Sequence, residues 1–269
     1  MLALKLGLSL VSSKVGGAAD SFLLDEYSGA SAAYSLRQLS ASTTNVVRVR
    51  ESVGSTEQDF TSSEITDGTL TTFTGANDGY IVTWYDQSGN GVNVTQATAS
   101  SQPKLVSIGV VELENGLPCV VFDGSNDYLQ AAISIAQPFT LLDVRKYNDT
   151  SSQIAISLDT VGTSIADGVL GSVFRSYYGS YLLDAAVNTN QGLWYSLGNG
   201  ASSSVSLDDA AENIGDAGSS GVSSITIGRL GTGTLVADVK IQEIILYPSD
   251  ESANKSGISE NINSFYSIY

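Results

Sequence analysis

Short apolar runs recur along the chain between clusters of Gly, Ser, Asn, Asp and Thr: VVRVR, YIVTWY, LPCVVFDG, TLLDVRKY, SQIAISLD, LWYSLG, SSITIGRL and VKIQEIILY. Runs of this length bounded by turn formers read as strands. In VVRVR, Val47 and Val49 alternate with Arg48 and Arg50, so one face meets a core and the other meets water. IVTWY is apolar on both faces and is expected at the centre of a sheet. Helix signals are few. Ser28 stands as an N-cap before GASAAYSLRQL, whose Ala32, Ala33, Leu36 and Leu39 recur at helical spacing, and this predicts a short helix. A second is predicted over Ser252 to Tyr266, where Ile258, Ile262 and Phe265 share a face. Residues 198–224 are polar and glycine-rich and are expected to form a long exposed connection with one strand, VSLD. No repeat of fixed period is visible, which argues against a solenoid or propeller.

The N-terminus, MLALKLGLSLVSSKVGGAAD, follows a different pattern. Leu2, Leu4, Leu6, Leu8 and Leu10 alternate strictly, the period of a half-buried strand and not of a membrane helix or a signal-peptide core. We read residues 1–17 as an extended arm and linker, jointed at Gly16-Gly17, and residues 18–269 as a single sandwich domain with a short C-terminal helix. A lone strand is unstable in water and invites addition to another sheet edge, so an assembly partner for the arm is expected, with a homo-oligomer as one outcome. No apolar run approaches the ~20 residues that span a bilayer.

Composition narrows the chemistry. With 269 residues and 42% hydrophobic content the chain is long enough for one large core. Its 12 Lys and Arg against 28 Asp and Glu give a net charge of −16, and beyond Arg48 and Arg50 no basic cluster offers a surface for nucleic acid. The chain has no histidine, which removes serine-protease triads and His-ligated zinc hydrolysis. Its one cysteine, Cys119, sits among apolar residues and is read as a small buried hydrophobe; no internal disulfide can form. Carboxylate chemistry, oxygen-ligated Ca²⁺ or no chemistry at all stay open.

Two loops concentrate the candidates. In YDQSGNG, Asp86 is read first as the acceptor that fixes a turn, with sugar or Ca²⁺ ligation by Trp84, Tyr85, Asp86, Gln87 and Asn90 as the alternative. FDGSNDYL places Asp123, Asn126 and Asp127 close together without the spacing of an EF-hand; a turn is again the first reading and a ligand site the second. Glu112, Glu114 and Glu243 are the acids to test for catalysis, and otherwise lie on solvated strand faces or turns. No cofactor is required, and Ca²⁺ is the one metal these oxygen ligands would suit.

The motif order AYSLRQLS, VVRVRES, IVTWYDQSGNGVNVTQAT, QPKLV and FDGSNDYL resembles a family of phage and bacterial proteins with a laminin-G or concanavalin A-like jelly roll. The first half is also similar to the catalytic sandwich of family 54 arabinofuranosidases, and the C-terminal run from SSITIGRL resembles the closing strands of such domains. The resemblance implies an all-β, two-sheet antiparallel jelly roll with one or two short helices. It also implies an acid directly after a Gly-Gly pair near the last strands if the chain is an arabinofuranosidase, and the corresponding stretch here is Gly228-Arg229-Leu230. On this departure, the expectation is a non-catalytic phage virion structural protein: a head-decoration, fibre or tail-surface module, exposed on the virion, holding other virion proteins through its arm and touching a host glycan. The alternatives are a glycoside hydrolase of arabinofuranosidase type and a secreted carbohydrate-binding module.

Overall fold

The structure is a computed structural model that describes residues 22–159, 166–171, 173–186, 189–231 and 233–269. The leucine arm lies outside the described residues. Strands and helices are numbered along the chain.

The strands form two antiparallel layers. The first runs β3 (Glu57–Phe60), β2 (Val47–Glu51), β4 (Gly79–Trp84), β6 (Lys104–Ser107), then β10 (Val120–Asp123) and β1 (Ala32–Ser35) end to end, then β21 (Asp238–Tyr247), β12 (Phe139–Tyr147), β17 (Gly192–Gly198), β18 (Ser203–Leu207) and β19 (Asn213–Gly215). The second runs β5 (Val94–Thr95), β11 (Leu129–Ile135), β20 (Val222–Ile227), β13 (Gln153–Ser157), β14 (Ala166–Val169), β15 (Val173–Tyr177) and β16 (Tyr181–Ala186), and β5 joins it to β4. A short strand β7 (Val110–Val111) edges β6, and β8 (Leu113–Glu114) with β9 (Leu117–Pro118) makes a hairpin. The helices are α1 (Leu23–Glu26), α2 (Ser62–Thr66), α3 (Thr69–Thr74) and α4 (Lys255–Tyr266). No helix among the described residues is long and apolar enough to cross a membrane.

The fold is the expected antiparallel sandwich. Its main core lies between the layers, where Val47, Ile81, Phe122, Leu141, Ile244 and Leu246 meet Leu129, Ile156, Phe174, Ile225 and Ile227. A second core covers the outer face of the first layer: Leu142, Val144, Tyr195, Ile245 and Tyr247 pack with Leu23 and Leu24 of α1 and Ile258, Ile262 and Tyr266 of α4. Strands buried on both faces lose the period-2 pattern, which is why QEIILY and LWYSLG read as unbroken apolar runs. Along β2 burial alternates, with Arg48 and Arg50 only half-buried, as the valine–arginine pattern predicts.

Three local expectations change. The predicted helix after Ser28 is instead strand β1, paired with Leu246 to Glu243 of β21 and buried at all four positions. Ala32 and Tyr34 enter the inner core and Ala33 the outer one, so the run is apolar on two opposite faces, and its sequence mimics a helical stripe. Helices α2 and α3 were not anticipated. The start of α2 carries a capping box, with Glu64 N–H donating to Thr61 Oγ1 at 3.3 Å and Thr61 N–H to Glu64 Oε2 at 2.9 Å. Within 198–224, Ser203 to Ser206 are buried in β18, so that segment is only partly an exposed connection.

Charged side chains are also held inside. Glu243 is fully buried, and both its oxygens take guanidinium bonds from Arg37 at 2.7 and 2.9 Å, with the Ser35 and Tyr266 hydroxyls completing the set at 2.9 and 3.0 Å. Arg145 lies between the layers, 3.0 Å from Asp143 and against the rings of Trp194 and Phe174 at 4.8 and 5.1 Å. Burial pushes the Asp143 carboxyl up to about 7, with Arg145 opposing the rise. Replacing Glu243 by Ala strands the Arg37 charge beneath α4. We expect it to lower stability by about 3 kcal/mol, read as a shift of the urea midpoint at unchanged slope.

Candidate functional site

On the outer face of the first layer, the strand register aligns Arg50 of β2 with Tyr80 of β4, Tyr80 with Lys104 of β6, and Lys104 with Val121 of β10. Their sequence neighbours Ile81, Leu105, Val120 and Phe122 point into the main core, so strand alternation turns this row outward. Tyr80, Lys104 and Val121 of this row line a cleft of about 370 Å³ together with Gln102, Glu112, Asp123 and Asp127. Three carboxyl groups from two segments therefore line one cleft with the Tyr80 ring.

Their environments differ. Asp127 is 6% exposed. Its Oδ2 accepts the Asp123 N–H at 3.2 Å. Burial, and then the neighbouring Asp123 carboxylate, push its carboxyl up to about 7. Asp123 is exposed and tied into its own turn, its Oδ1 accepting the N–H groups of Ser125 and Asn126 at 2.8 and 3.2 Å. The carboxylate of Glu112, a half-buried residue, accepts no hydrogen bond from the described residues. Tyr80 is flanked by the Arg50 guanidinium at 5.2 Å and the Lys104 ammonium at 5.5 Å. Lys104 is itself paired with Asp78 at 2.9 Å, and that bond raises its pKa. One carboxyl raised toward neutrality beside further acids is an arrangement that acid–base chemistry can use.

FDGSNDYL contributes directly: Asp123 and Asp127 line the cleft, and Asn126 Nδ2 donates to the Ser100 carbonyl at 2.8 Å. YDQSGNG lies elsewhere. Asp86 Oδ1 accepts the N–H groups of Ala33 and Ser88, both at 2.9 Å, while Oδ2 accepts Val92 N–H at 3.0 Å and the Ser88 hydroxyl at 2.8 Å. Gln87 is 4% exposed, takes Leu39 N–H at 2.7 Å and donates to the carbonyls of Ser35 and Arg37 at 2.9 and 3.0 Å. Asn90 donates to Ala30 O at 2.9 Å, Tyr85 to Asp59 at 2.8 Å, and Trp84 is fully buried. The loop thus clamps β1 to the end of β4. Tyr85, Asp86 and Gln87 also border a hollow of about 260 Å³ against Ser42 to Asn45.

Of the other acids, Glu114 pairs with Lys146 and Lys240 at 2.9 and 3.4 Å, and Glu243 is the buried partner of Arg37. Burial pushes the Cys119 thiol up to about 12, in keeping with an inert side chain. Among the described residues no three of the His, Cys, Asp and Glu side chains group as a metal site requires. Sequence reasoning missed Tyr80, Gln102 and Lys104. Their signal is the alternation of β4 and β6, but only the register shows that they share a row. Arg229, where the resemblance implied an acid, lies 3.4 Å over the ring of Tyr128, next along the chain from Asp127.

Removing the Asp86 carboxylate leaves the β1 and Val92 amides unpaired. Asp86→Ala should cost about 2–3 kcal/mol in thermal or urea unfolding. An Asp86→Ala protein that melts like the wild type would show that the loop is not a clamp.

No known family model matches the chain, and no curated protein matches its sequence. Solved structures do. An arabinofuranosidase complexed with arabinofuranosyl-α-1,2-xylobiose is 14% identical with a TM-score of 0.63, and a GH54 α-L-arabinofuranosidase soaked with a cyclic sulfate inhibitor is 14% identical at 0.64. Each match covers 89% of this chain and 64% of the other, so the chain spans somewhat under two thirds of those enzymes. At this identity the likeness establishes a shared β-sandwich fold. It also corrects the expectation of a non-catalytic phage virion module: the sandwich matched over 89% of this chain is that of arabinofuranosidases, and neither of these structures is a head-decoration, fibre or tail protein.

Proposed function

We propose that this protein is a glycoside hydrolase acting on arabinofuranosyl or related neutral glycans through the cleft of Tyr80, Glu112, Asp123 and Asp127. The observation that carries the proposal is Asp127: a buried carboxyl raised to about 7, in a cleft of about 370 Å³ that holds two further acids. The sandwich shared with arabinofuranosidases supports the substrate class.

Asp127 serves as general acid. Its pKa, raised to about 7, leaves a large share of the molecules protonated at neutral pH, ready to transfer the proton to the glycosidic oxygen as the bond to the leaving group breaks. Glu112, whose carboxylate accepts no hydrogen bond from the described residues, is the second carboxylate: it takes a proton from the water whose oxygen forms the new bond to the anomeric carbon as the bond to the leaving group breaks. Asp123 raises the Asp127 pKa by its charge and is spent on its own turn. The Tyr80 ring offers a face for the sugar to lie against.

The wild-type protein should release nitrophenol from 4-nitrophenyl α-L-arabinofuranoside. Asp127→Asn should lower kcat by about 10²–10⁴-fold, and Glu112→Gln should also lower it. Because the acid must be protonated, wild-type activity should fall as pH rises through about 7. Sugar binding without turnover by the wild type, or unchanged kcat in Asp127→Asn, would overturn the proposal.

A further inference from the structure

A second cleft, of about 850 Å³, opens where α1, α2 and α4 meet, and Phe22, Arg37, Gln38, Asn261 and Phe265 are among its lining residues. Arg37 in this lining is bonded to the buried Glu243 at 2.7 and 2.9 Å. Glu243 cancels the Arg37 charge, and Glu26 is the other formally charged side chain of the lining, so the cleft carries nothing that would attract an anion. Phe265 projects from α4 and stays 42% exposed, although the Arg37 guanidinium sits 4.7 Å from its ring centre and its helix neighbours Ile258 and Ile262 are fully buried. The lining also holds one amide with an unused acceptor: Gln38 commits its Nε2 to the Ser40 carbonyl at 2.8 Å, and no donor among the described residues meets its Oε1.

An exposed aromatic ring, an uncommitted amide oxygen and no net positive charge select a neutral, polyhydroxylated ligand over an anion or a purely apolar one. The two clefts also flank the same hairpin: Glu112 borders the first, while Leu117 and Pro118 border the second. We propose that this second cleft is a glycan-holding site, separate from the catalytic one, in which a neutral polysaccharide chain lies against Phe265. The proposal rests on the lining of this cleft and stands whether or not Asp127 cleaves anything.

The test measures retention of the full-length protein in gels containing arabinoxylan, with polygalacturonate as the acidic control, for the wild type and for Phe265→Ala, Phe265→Tyr and Gln38→Ala. Phe265→Ala should weaken arabinoxylan retention by about tenfold or more, Gln38→Ala should weaken it less, and Phe265→Tyr should keep it, since it preserves the ring. Release of nitrophenol from the small aryl arabinoside should be unchanged in all three. Absence of wild-type retention, equal retention of Phe265→Ala, or stronger retention on polygalacturonate would overturn the proposal. So would retention that appears only after residues 1–17 are deleted, which would assign the cleft to the chain's own arm. If the wild type releases no nitrophenol while Phe265→Ala still weakens retention, the hydrolase reading fails and this one stands.

Discussion

From Ile241 to Tyr247 strand β21 has no face in water, and its register fixes the rest of the molecule. It is hydrogen-bonded to β1 and β10 on one side and to β12 on the other. Ile244 and Leu246 supply the core between the layers, while Ile245 and Tyr247 supply the core under α4. A slip of one residue would exchange the two sets. It would also pull Glu243 away from Arg37, Ser35 and Tyr266, leaving a charge buried without partners, which costs far more than a misplaced methyl group. Polar groups thus set the register, while apolar burial supplies most of the stabilisation.

The same strand positions the catalytic candidate. Gln242 Nε2 donates to the carbonyls of Glu114, Leu117 and Pro118 at 3.1, 3.2 and 3.3 Å, and Lys240 Nζ donates to Leu113 O at 2.9 Å. These bonds pin the β8–β9 hairpin across the sheet, so Glu112, just before it, stands at the wall of the cleft. On the opposite wall, β10 is paired with β21 from Val120 to Asp123 and delivers the turn that buries Asp127. The contrast between two aspartates is instructive. Asp86 is met by four donors and serves the fold, whereas the carboxyl of Asp127 is met by one backbone N–H and is left to chemistry.

Much of the architecture was legible because most strands carry their own punctuation, and Arg48 and Arg50 even revealed which face of β2 was wet. The failure at Ala32 to Ser35 has a physical cause: a short run buried on both faces has no period to read, and small residues satisfy helix and strand alike. The turn role of Asp86 was readable from the glycine and amide residues that follow it. The catalytic candidate was legible only in pieces. Asp123 and Asp127 were marked by their own motif and Glu112 by its acidity, but nothing local joins them to Tyr80 or Lys104, because their meeting depends on the pairing of β4, β6 and β10. The raised pKa of Asp127 is a property of burial, which no single residue type announces.

The account turns on whether Asp127 holds its proton near neutrality. Carboxyl carbon chemical shifts followed by ¹³C NMR from pH 3 to 9, with Asp127→Asn used to assign the resonance, measure this directly. The account predicts a carboxyl titrating near 7 that vanishes in the variant. An Asp127 that titrates near 4, as an aspartate in water does, would contradict it.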